Sequence, residues 1–121
     1  MAVLAITDDL IFAAKIEAAA AQLRVPLLLI AAPHQLFELL GDVPYRLAIV
    51  DLNISQGSAL AIIERIRKQW PQLPILGYCS HVQMGLQEQA KAAGCSRVVP
   101  RSVFVRQLPD FLTSKWQSAL E

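Results

Sequence analysis

The segment RLAIVDLN, Arg46 to Asn53, decides how the rest of the chain is interpreted. Four apolar residues, 47–50, run directly into Asp51, and polar turn-forming residues follow. A short apolar run bounded by turn residues is typical of a strand that is buried on both faces of a parallel sheet. A carboxylate at the end of such a strand is costly to bury unless a partner binds it. Asp51 is therefore either a cap on the next turn or a chemical group in a site.

Short apolar runs alternate with longer helical patterns along the whole chain. Strands are predicted at 2–7, 25–31, 45–51, 73–79 and 96–99. Helices are predicted at 10–23, 33–40, 58–70, 82–93 and 102–120. Pro109 either lies in the first turns of the last helix or divides it in two. Five βα units in succession predict an α/β fold, with a parallel sheet covered on both faces and right-handed connections. We expect a single domain over residues 1–121.

The composition excludes several classes of protein. Of 121 residues, 55% are hydrophobic and 17% are charged, with a formal net charge of +1 and a mean hydropathy of +0.41. This balance offers no basic surface for nucleic acid, and no apolar run approaches the ~20 residues that cross a bilayer. The two cysteines, Cys79 and Cys95, fit no zinc motif and are expected to be reduced thiols. The N-terminus has no basic region before its first apolar run, so we expect a cytoplasmic protein without a signal peptide.

Polar side chains follow four of the five predicted strands. They are Thr7, Asp8 and Asp9 after the first, Asp51 and Asn53 after the third, Cys79, Ser80 and His81 after the fourth, and Arg101 and Ser102 after the fifth. Ligands of open α/β sheets bind beyond the carboxyl ends of the strands. Carboxylates crowded together repel each other, and a hard cation such as Mg²⁺ relieves that repulsion. A metal opposite a cationic side chain makes a place for a phosphoryl group, which a carboxylate can accept as an acyl phosphate.

Each of these residues also has a plainer interpretation. Asp51 can cap the turn or the helix that follows it, and Asp9 is the better candidate for the N-cap of the first helix. A cysteine such as Cys79 is more often a small buried hydrophobe than a reactive group. His34 and His81 are interpreted as surface residues. The functional hypothesis therefore depends on several of these groups meeting at one edge of the sheet.

Four segments of the chain resemble the receiver domain of two-component response regulators. They are TDD (7–9), IVDLN (49–53), PILGYCS (74–80) and AAGCSRVVPRS (92–102). The resemblance implies a doubly wound, flavodoxin-like sheet of five parallel strands in the order 2-1-3-4-5. It also implies that Asp51 is the phosphoacceptor. The family's acidic pair, which binds Mg²⁺, falls either on Thr7 and Asp8 or on Asp8 and Asp9. By the same resemblance, the metal ligands are Asp8, Asp51 and the backbone carbonyl of Asn53, with Asp9 as a further candidate.

The sequence departs from the family at the positions around the phosphoryl group. By resemblance, Cys79 and Ser80 stand at the end of the fourth strand, where the family has Thr or Ser, and Arg101 stands at the Lys position. A thiol is a weak hydrogen-bond donor, and an arginine fork does not replace a mobile ammonium group. Ser102 replaces the proline that follows the Lys, and Val98 replaces the aromatic switch residue. Cys79, Ser80 and Arg101 are nevertheless the expected phosphate-binding residues. The direction in which Arg101 points is left open.

Three functions compete. The first is a stand-alone, divergent receiver in a phosphorelay, which takes phosphate from a histidine kinase or phosphotransfer protein onto Asp51 and signals through protein contact. The second is a phosphorylation-independent pseudo-receiver, an interaction or dimerisation module in which Arg101 pairs with Asp51 or Asp8. The third, an α/β enzyme or a nucleotide- or flavin-binding protein, lacks a G-x-G-x-x-G or Walker loop after the first strand. We expect no enzymatic activity beyond the protein's own phosphorylation and dephosphorylation. A homodimer is plausible by the resemblance.

Overall fold

The computed structural model describes residues 2–31, 44–54, 58–80 and 84–113. The predicted helix at 33–40, both histidines, residues 55–57 and the end of the last predicted helix lie outside these ranges. Within them, the strands are β1 (Ala2–Ile6), β2 (Leu27–Ile30), β3 (Tyr45–Asp51), β4 (Ile75–Cys79) and β5 (Arg97–Pro100). The helices are α1 (Leu10–Leu23), α2 (Ala59–Gln69), α3 (Met84–Ala93), α4 (Arg101–Arg106) and α5 (Leu108–Leu112).

The strands form one parallel sheet in the order β2-β1-β3-β4-β5. This is the doubly wound, flavodoxin-like arrangement, so the predicted fold class and strand order are confirmed. β3 lies at the centre of the sheet, between β1 and β4. The carboxyl ends of these three strands therefore lie side by side, at the edge where ligands of such sheets bind.

The ends of the helices follow from local chemistry. Ser58 is the N-cap of α2, and its hydroxyl accepts a hydrogen bond from the N–H of Ala61 at 3.3 Å. Pro71 cannot continue this helix, which ends before Trp70. α3 ends before Gly94, whose φ of 130° lies in a region that side-chain-bearing residues rarely adopt. These stop signals are local, which is why the sequence predicts them well.

The last part of the chain differs from the prediction of one helix over 102–120. Its described residues form two short helices, α4 and α5, separated at Gln107, and Pro109 lies in the first turn of α5. Proline has no N–H to donate to the preceding turn, so one continuous helix would lose a hydrogen bond there. β5 also ends one residue later than predicted, at Pro100. Arg101 is consequently the first residue of α4, directly after the strand.

Alternating side chains of the strands fill two cores, one on each face of the sheet. One core packs against α1, α4 and α5, and we call this side the α1 face. The other packs against α2 and α3, and we call it the α2 face. In β1, for example, Val3 and Ala5 lie on the α1 face, whereas Leu4 and Ile6 lie on the α2 face. Strands apolar on both sides are expected for a sheet that helices cover twice.

Four aromatic rings form a cluster of near-parallel rings on the α1 face, which we call the aromatic cluster. They are Phe12 of α1, Tyr78 of β4, Phe104 of α4 and Phe111 of α5. The tightest pair is Tyr78 and Phe104, whose ring centroids are 4.3 Å apart at an interplanar angle of 11°. The guanidinium of Arg101 lies 4.7 Å from the centre of the Phe12 ring. The aromatic cluster therefore packs α1, α4 and α5 against β4.

None of the helices in the described ranges is long and apolar enough to cross a membrane.

Candidate functional site

Three side chains stand in a row across the carboxyl edge of the sheet on the α1 face. Asp51 is in register with Tyr78, and Thr7 directly follows Ile6, the partner of Val50. Because side chains alternate along a strand, Thr7, Asp51 and Tyr78 all point to the same face. The row thus crosses from β1 through β3 to β4, with the carboxylate in the middle.

Asp51 is held by donors of its own chain. Its side chain is buried, with only 1% of its surface exposed. The hydroxyl of Thr7 donates to Oδ2 at 2.9 Å, and the backbone N–H of Asn53 donates to Oδ1 at 2.9 Å. These bonds replace the water that the carboxylate loses on burial. Both oxygens of Asp51 are therefore engaged without a metal or a ligand.

The hydrogen bonds of Asp51 belong to a chain of bonds that joins three loops. The N–H of Asp9 donates to the Thr7 hydroxyl at 3.1 Å. On the other side, the side-chain oxygen of Asn53 accepts the N–H of Ser80 at 2.7 Å. The segments that follow β1, β3 and β4 are thereby connected. We call these five residues, Thr7, Asp9, Asp51, Asn53 and Ser80, the Asp51 site.

Asp9 caps α1, as the sequence predicts. Its Oδ1 accepts the N–H groups of Ile11 at 2.9 Å and Phe12 at 3.2 Å. Its Oδ2 lies 3.6 Å from the guanidinium of Arg101. The carboxylate of Asp9 is thus used by the helix end and by an ion pair, while Asp8 beside it is half-buried. Of the segment 7–9 that follows β1, Thr7 is the residue that donates a hydrogen bond to Asp51.

Arg101 lies at the side of the site that faces α1. It forms its ion pair with Asp9, a partner that the sequence analysis did not consider for it. Its guanidinium also lies over Phe12, which favours a cation–π contact. Because Arg101 is the first residue of α4, its contacts with Asp9 and Phe12 connect the first turn of α4 to the start of α1. The predicted role of Arg101 in binding phosphate stays a prediction.

Cys79 points away from the row. Its side chain belongs to the core of the α2 face, and its Sγ lies 3.9 Å from the carbonyl oxygen of Val99. Burial raises the pKa of this thiol, nearby Arg101 lowers it in part, and Asp51 adds to the increase. Cys79 is thus a protonated core residue in this arrangement, the plainer of its two interpretations. Ser80, the alternative at this position, contributes its backbone N–H to the site.

Tyr78 borders the Asp51 site, since it is the register partner of Asp51 on β4, and the sequence analysis did not identify it. It is fully buried, and burial raises the pKa of its hydroxyl above the ordinary value of 10.0. The Tyr78 oxygen forms no hydrogen bond within the described part of the chain. The sequence does indicate that Tyr78 and Cys79, as neighbours on one strand, point to opposite faces of the sheet. Only the register of β4 against β3 shows that Tyr78 is the one beside Asp51.

Several oxygens near the predicted magnesium site are engaged by groups of the chain itself. Mg²⁺ needs free oxygen ligands in near-octahedral geometry, yet the oxygens of Asp51 and Asp9 accept hydrogen bonds or face Arg101. Among the described residues, no group of three His, Cys, Asp or Glu side chains is placed to hold a metal ion. The predicted ligands are Asp8, Asp51 and the carbonyl of Asn53, and this metal site stays a prediction.

Comparison with known proteins identifies the fold. No family model and no curated protein matches the sequence. Among solved structures, the chain is similar to a CheY-like response regulator receiver domain from Methanospirillum hungatei JF-1, with 14% identity and a TM-score of 0.81 over 98% of this chain and 91% of that one. A response regulator from Burkholderia pseudomallei, solved with a phosphorylated aspartic acid, a calcium ion and citrate, gives 18% identity and a TM-score of 0.81 over 97% and 69%. Chemotaxis response regulator CheY4 of Vibrio cholerae gives 15% identity and a TM-score of 0.78 over 93% and 99%. The chain therefore has the receiver fold, with a sequence far from these neighbours.

Proposed function

We propose that this protein is a phosphorylation-independent pseudo-receiver, a signalling module with the receiver fold that binds a protein partner through its surface. The observation that carries the proposal is the state of Asp51. Its carboxylate is 1% exposed and both of its oxygens accept hydrogen bonds from the chain itself. A phosphoacceptor must present an oxygen to the incoming phosphorus atom and to a metal. With 1% of its surface exposed, Asp51 presents no oxygen to the solvent in this arrangement.

The donors around Asp51 support a structural role for the carboxylate. Two charge-assisted hydrogen bonds stabilise a buried carboxylate in place of the water that it has lost. The chain of bonds from Asp9 to Ser80 uses Asp51 as its central acceptor. In this proposal, Asp51 keeps the loops after β1, β3 and β4 in one arrangement.

The surface offers apolar side chains for a partner. Leu10 and Ile11 at the start of α1 are 82% and 69% exposed, and Met84 at the start of α3 is 75% exposed. All three lie where helices begin, at the same edge of the sheet as the Asp51 site. Single exposed apolar residues are common on protein surfaces. These three support a contact surface because they lie at the same edge of the sheet as the Asp51 site.

The proposal is tested by adding beryllofluoride and Mg²⁺, a phosphoryl analogue with its metal, to the ¹⁵N-labelled protein. We expect the amide signals of Thr7, Asp51, Asn53 and Ser80 to stay in place at millimolar Mg²⁺. Saturable shifts at these positions would contradict the proposal. A second test compares the wild type with Asp51→Asn for binding of a partner recovered from the source cells, and we expect equal binding.

A phosphoaccepting receiver remains the second candidate, because Asp51 ends the central strand with half-buried Asp8 at the end of the neighbouring one. In that case Asp8, Asp51 and the carbonyl of Asn53 would bind Mg²⁺ once Thr7 releases Asp51. Ser80 and Arg101 would then face the phosphoryl group that a histidine kinase or phosphotransfer protein delivers. Incubation with a small phosphodonor and Mg²⁺, followed by intact-mass measurement, distinguishes the two candidates, since only the second predicts a phosphorylated species that Asp51→Asn abolishes.

A further inference from the structure

The two ends of α3 are held differently. Its C-terminal half contains Ala90, which is fully buried, and Ala93, which packs against the core of the α2 face. Among the described residues of its N-terminal half, none is buried. Met84 is 75% exposed, and Leu86 is only half-buried where it packs against the same core. α3 is therefore attached to the domain mainly through the end that lies at the opposite edge of the sheet from the Asp51 site.

One arginine of the neighbouring helix holds the C-terminal end of α3. Arg67 of α2 donates from Nε at 3.1 Å and from Nη2 at 2.7 Å to the carbonyl oxygen of Gly94, the residue after α3. Its Nη1 donates to the carbonyl oxygens of Trp70 at 3.2 Å and Pro71 at 2.9 Å, where α2 ends. The donors of a guanidinium form a rigid fork, so a single side chain caps both helices. A cation at this end of a helix also compensates the negative end of the helix dipole.

The turn after α3 is fitted to this arginine. A Cβ at Gly94 would lie 2.9 Å from both Cβ and Cγ of Arg67, so a larger residue there would displace the arginine. Two residues later, the N–H of Ser96 donates to the carbonyl oxygen of Ile75 at 2.8 Å, and the Ser96 hydroxyl accepts the N–H of Ile75 at 3.1 Å. The C-terminal end of α3 is thus fixed to α2 on one side and to β4 on the other.

We propose that Arg67 anchors α3 at one end, so that its C-terminal end stays fixed at Gly94 while its N-terminal half opens without unfolding the domain. Segments with few buried apolar side chains open at a lower free energy than the packed core. Gly85, inside the N-terminal half, weakens the helix there, because glycine loses the most backbone freedom on folding. Arg67 is a positioning residue in this inference, and it takes part in no chemical step.

The opening changes the surface beside the Asp51 site. It exposes Leu86 next to Met84, which is already exposed, and so enlarges the apolar surface at that edge. A partner with apolar side chains that binds the opened half would stabilise the open form over the closed one. The inference goes beyond the proposed function and does not depend on it, because the anchor lies at the opposite edge of the sheet from Asp51.

The test is native-state amide hydrogen exchange, followed by NMR, in the wild type, Arg67→Ala, Arg67→Lys and Lys68→Ala. The informative amides are Cys95, which donates to a carbonyl of α3 at its anchored end, and Glu88 in the N-terminal half. After correction for intrinsic rates, we expect Cys95 to exchange at least about tenfold more slowly than Glu88 in the wild type. Arg67→Ala should remove this difference by accelerating Cys95, while the amides of β3 stay slower than either.

Two variants serve as controls. Lys68→Ala removes the cation of the next residue of α2, which is exposed, and we expect it to keep the wild-type pattern. Arg67→Lys retains the charge and most of the side chain but not the fork, so we expect it to accelerate Cys95 as Arg67→Ala does. It replaces the alanine variant if that variant does not fold.

The outcomes concern this inference alone. Equal protection of Glu88 and Cys95 in the wild type would show that α3 is not anchored at one end. A Cys95 amide that stays slow in both Arg67 variants, or one that Lys68→Ala accelerates equally, would overturn the assignment to Arg67. Acceleration confined to the Arg67 variants supports it. The proposed function is tested separately, by the response of the wild type to beryllofluoride and Mg²⁺, and stands or falls on that response.

Discussion

Replacing Thr7 with valine removes the hydroxyl that donates to Asp51 and leaves the shape of the side chain almost unchanged. Thr7 is fully buried, and its oxygen both donates to Asp51 Oδ2 at 2.9 Å and accepts the N–H of Asp9 at 3.1 Å. A hydrogen bond to a charged group contributes about 1.5 to 3 kcal/mol, and the group left unsatisfied is buried. We therefore expect Thr7→Val to lower the free energy of unfolding by about 2 to 3 kcal/mol. For a domain of this size, the melting temperature should fall by roughly 6 to 15 °C.

The assay is urea unfolding at neutral pH, followed by circular dichroism, together with a double-mutant cycle. Thr7→Ser is the control, because it keeps the hydroxyl and loses one methyl group, worth about 1 kcal/mol. Thr7→Val, Asp51→Ala and the double variant complete the cycle. If the bond joins these two residues, the double variant loses less than the sum of the single losses, by about 1 kcal/mol or more. A Thr7→Val protein within about 0.5 kcal/mol of the wild type, or additive losses, would refute the hydrogen-bond account of Asp51.

Three further outcomes follow from the packing. A Cβ at Gly77 would lie 3.1 Å from the Sγ of Cys95, so Gly77→Ala should lower the free energy of unfolding in urea by about 1 to 3 kcal/mol. A Cβ at Gly85 would meet nothing within 4 Å, so Gly85→Ala should raise the free energy of unfolding by about 0.5 to 1 kcal/mol. Equal effects of the two substitutions would contradict this contrast. Because burial raises the pKa of Tyr78 above 10.0, the unfolded chain loses the phenol proton first, so stability should fall above about pH 10 by about 1.4 kcal/mol per pH unit. Tyr78→Phe should flatten that fall in unfolding curves at about pH 9 and about pH 11, and an unchanged slope would show that other groups cause it. Cys79 and Cys95 are buried thiols whose pKa burial raises, so a thiol reagent such as Ellman's should label neither in the native protein and both in denaturant; rapid native labelling would show that the core opens.

The sequence was sufficient for the features that depend on local pattern. The strand at 45–51 and the helix at 10–23 have the predicted bounds, because an apolar run and a helical period are properties of neighbouring residues. The N-cap at Asp9 and the end of α3 at Gly94 also follow from residue type at one position. The alternation of strands and helices was enough for the parallel sheet, and with the family resemblance for the strand order.

The composition of the Asp51 site was predictable only in part. The sequence placed Asp51 at the carboxyl end of the third strand, with Asp9 and Ser80 at the same edge. It left open which residue after β1 faces Asp51, and in the structure that residue is Thr7. It also expected Cys79 to line the site, whereas the thiol lies in the core of the α2 face. These questions depend on which face each strand end presents, and a pattern with a period of two does not say which face is which.

The sequence alone determined that this protein is an α/β domain with a carboxylate at the end of its third strand, because periodicity and turn residues act over a few neighbouring positions. Only the tertiary structure decided what surrounds that carboxylate. The register of β4 against β3 brings Tyr78 beside Asp51, and the position of β1 brings Thr7 to its other side. Thr7 and Asp51 are 44 positions apart in the sequence, and Tyr78 comes from a different strand from Asp51. Their meeting is a property of the folded sheet.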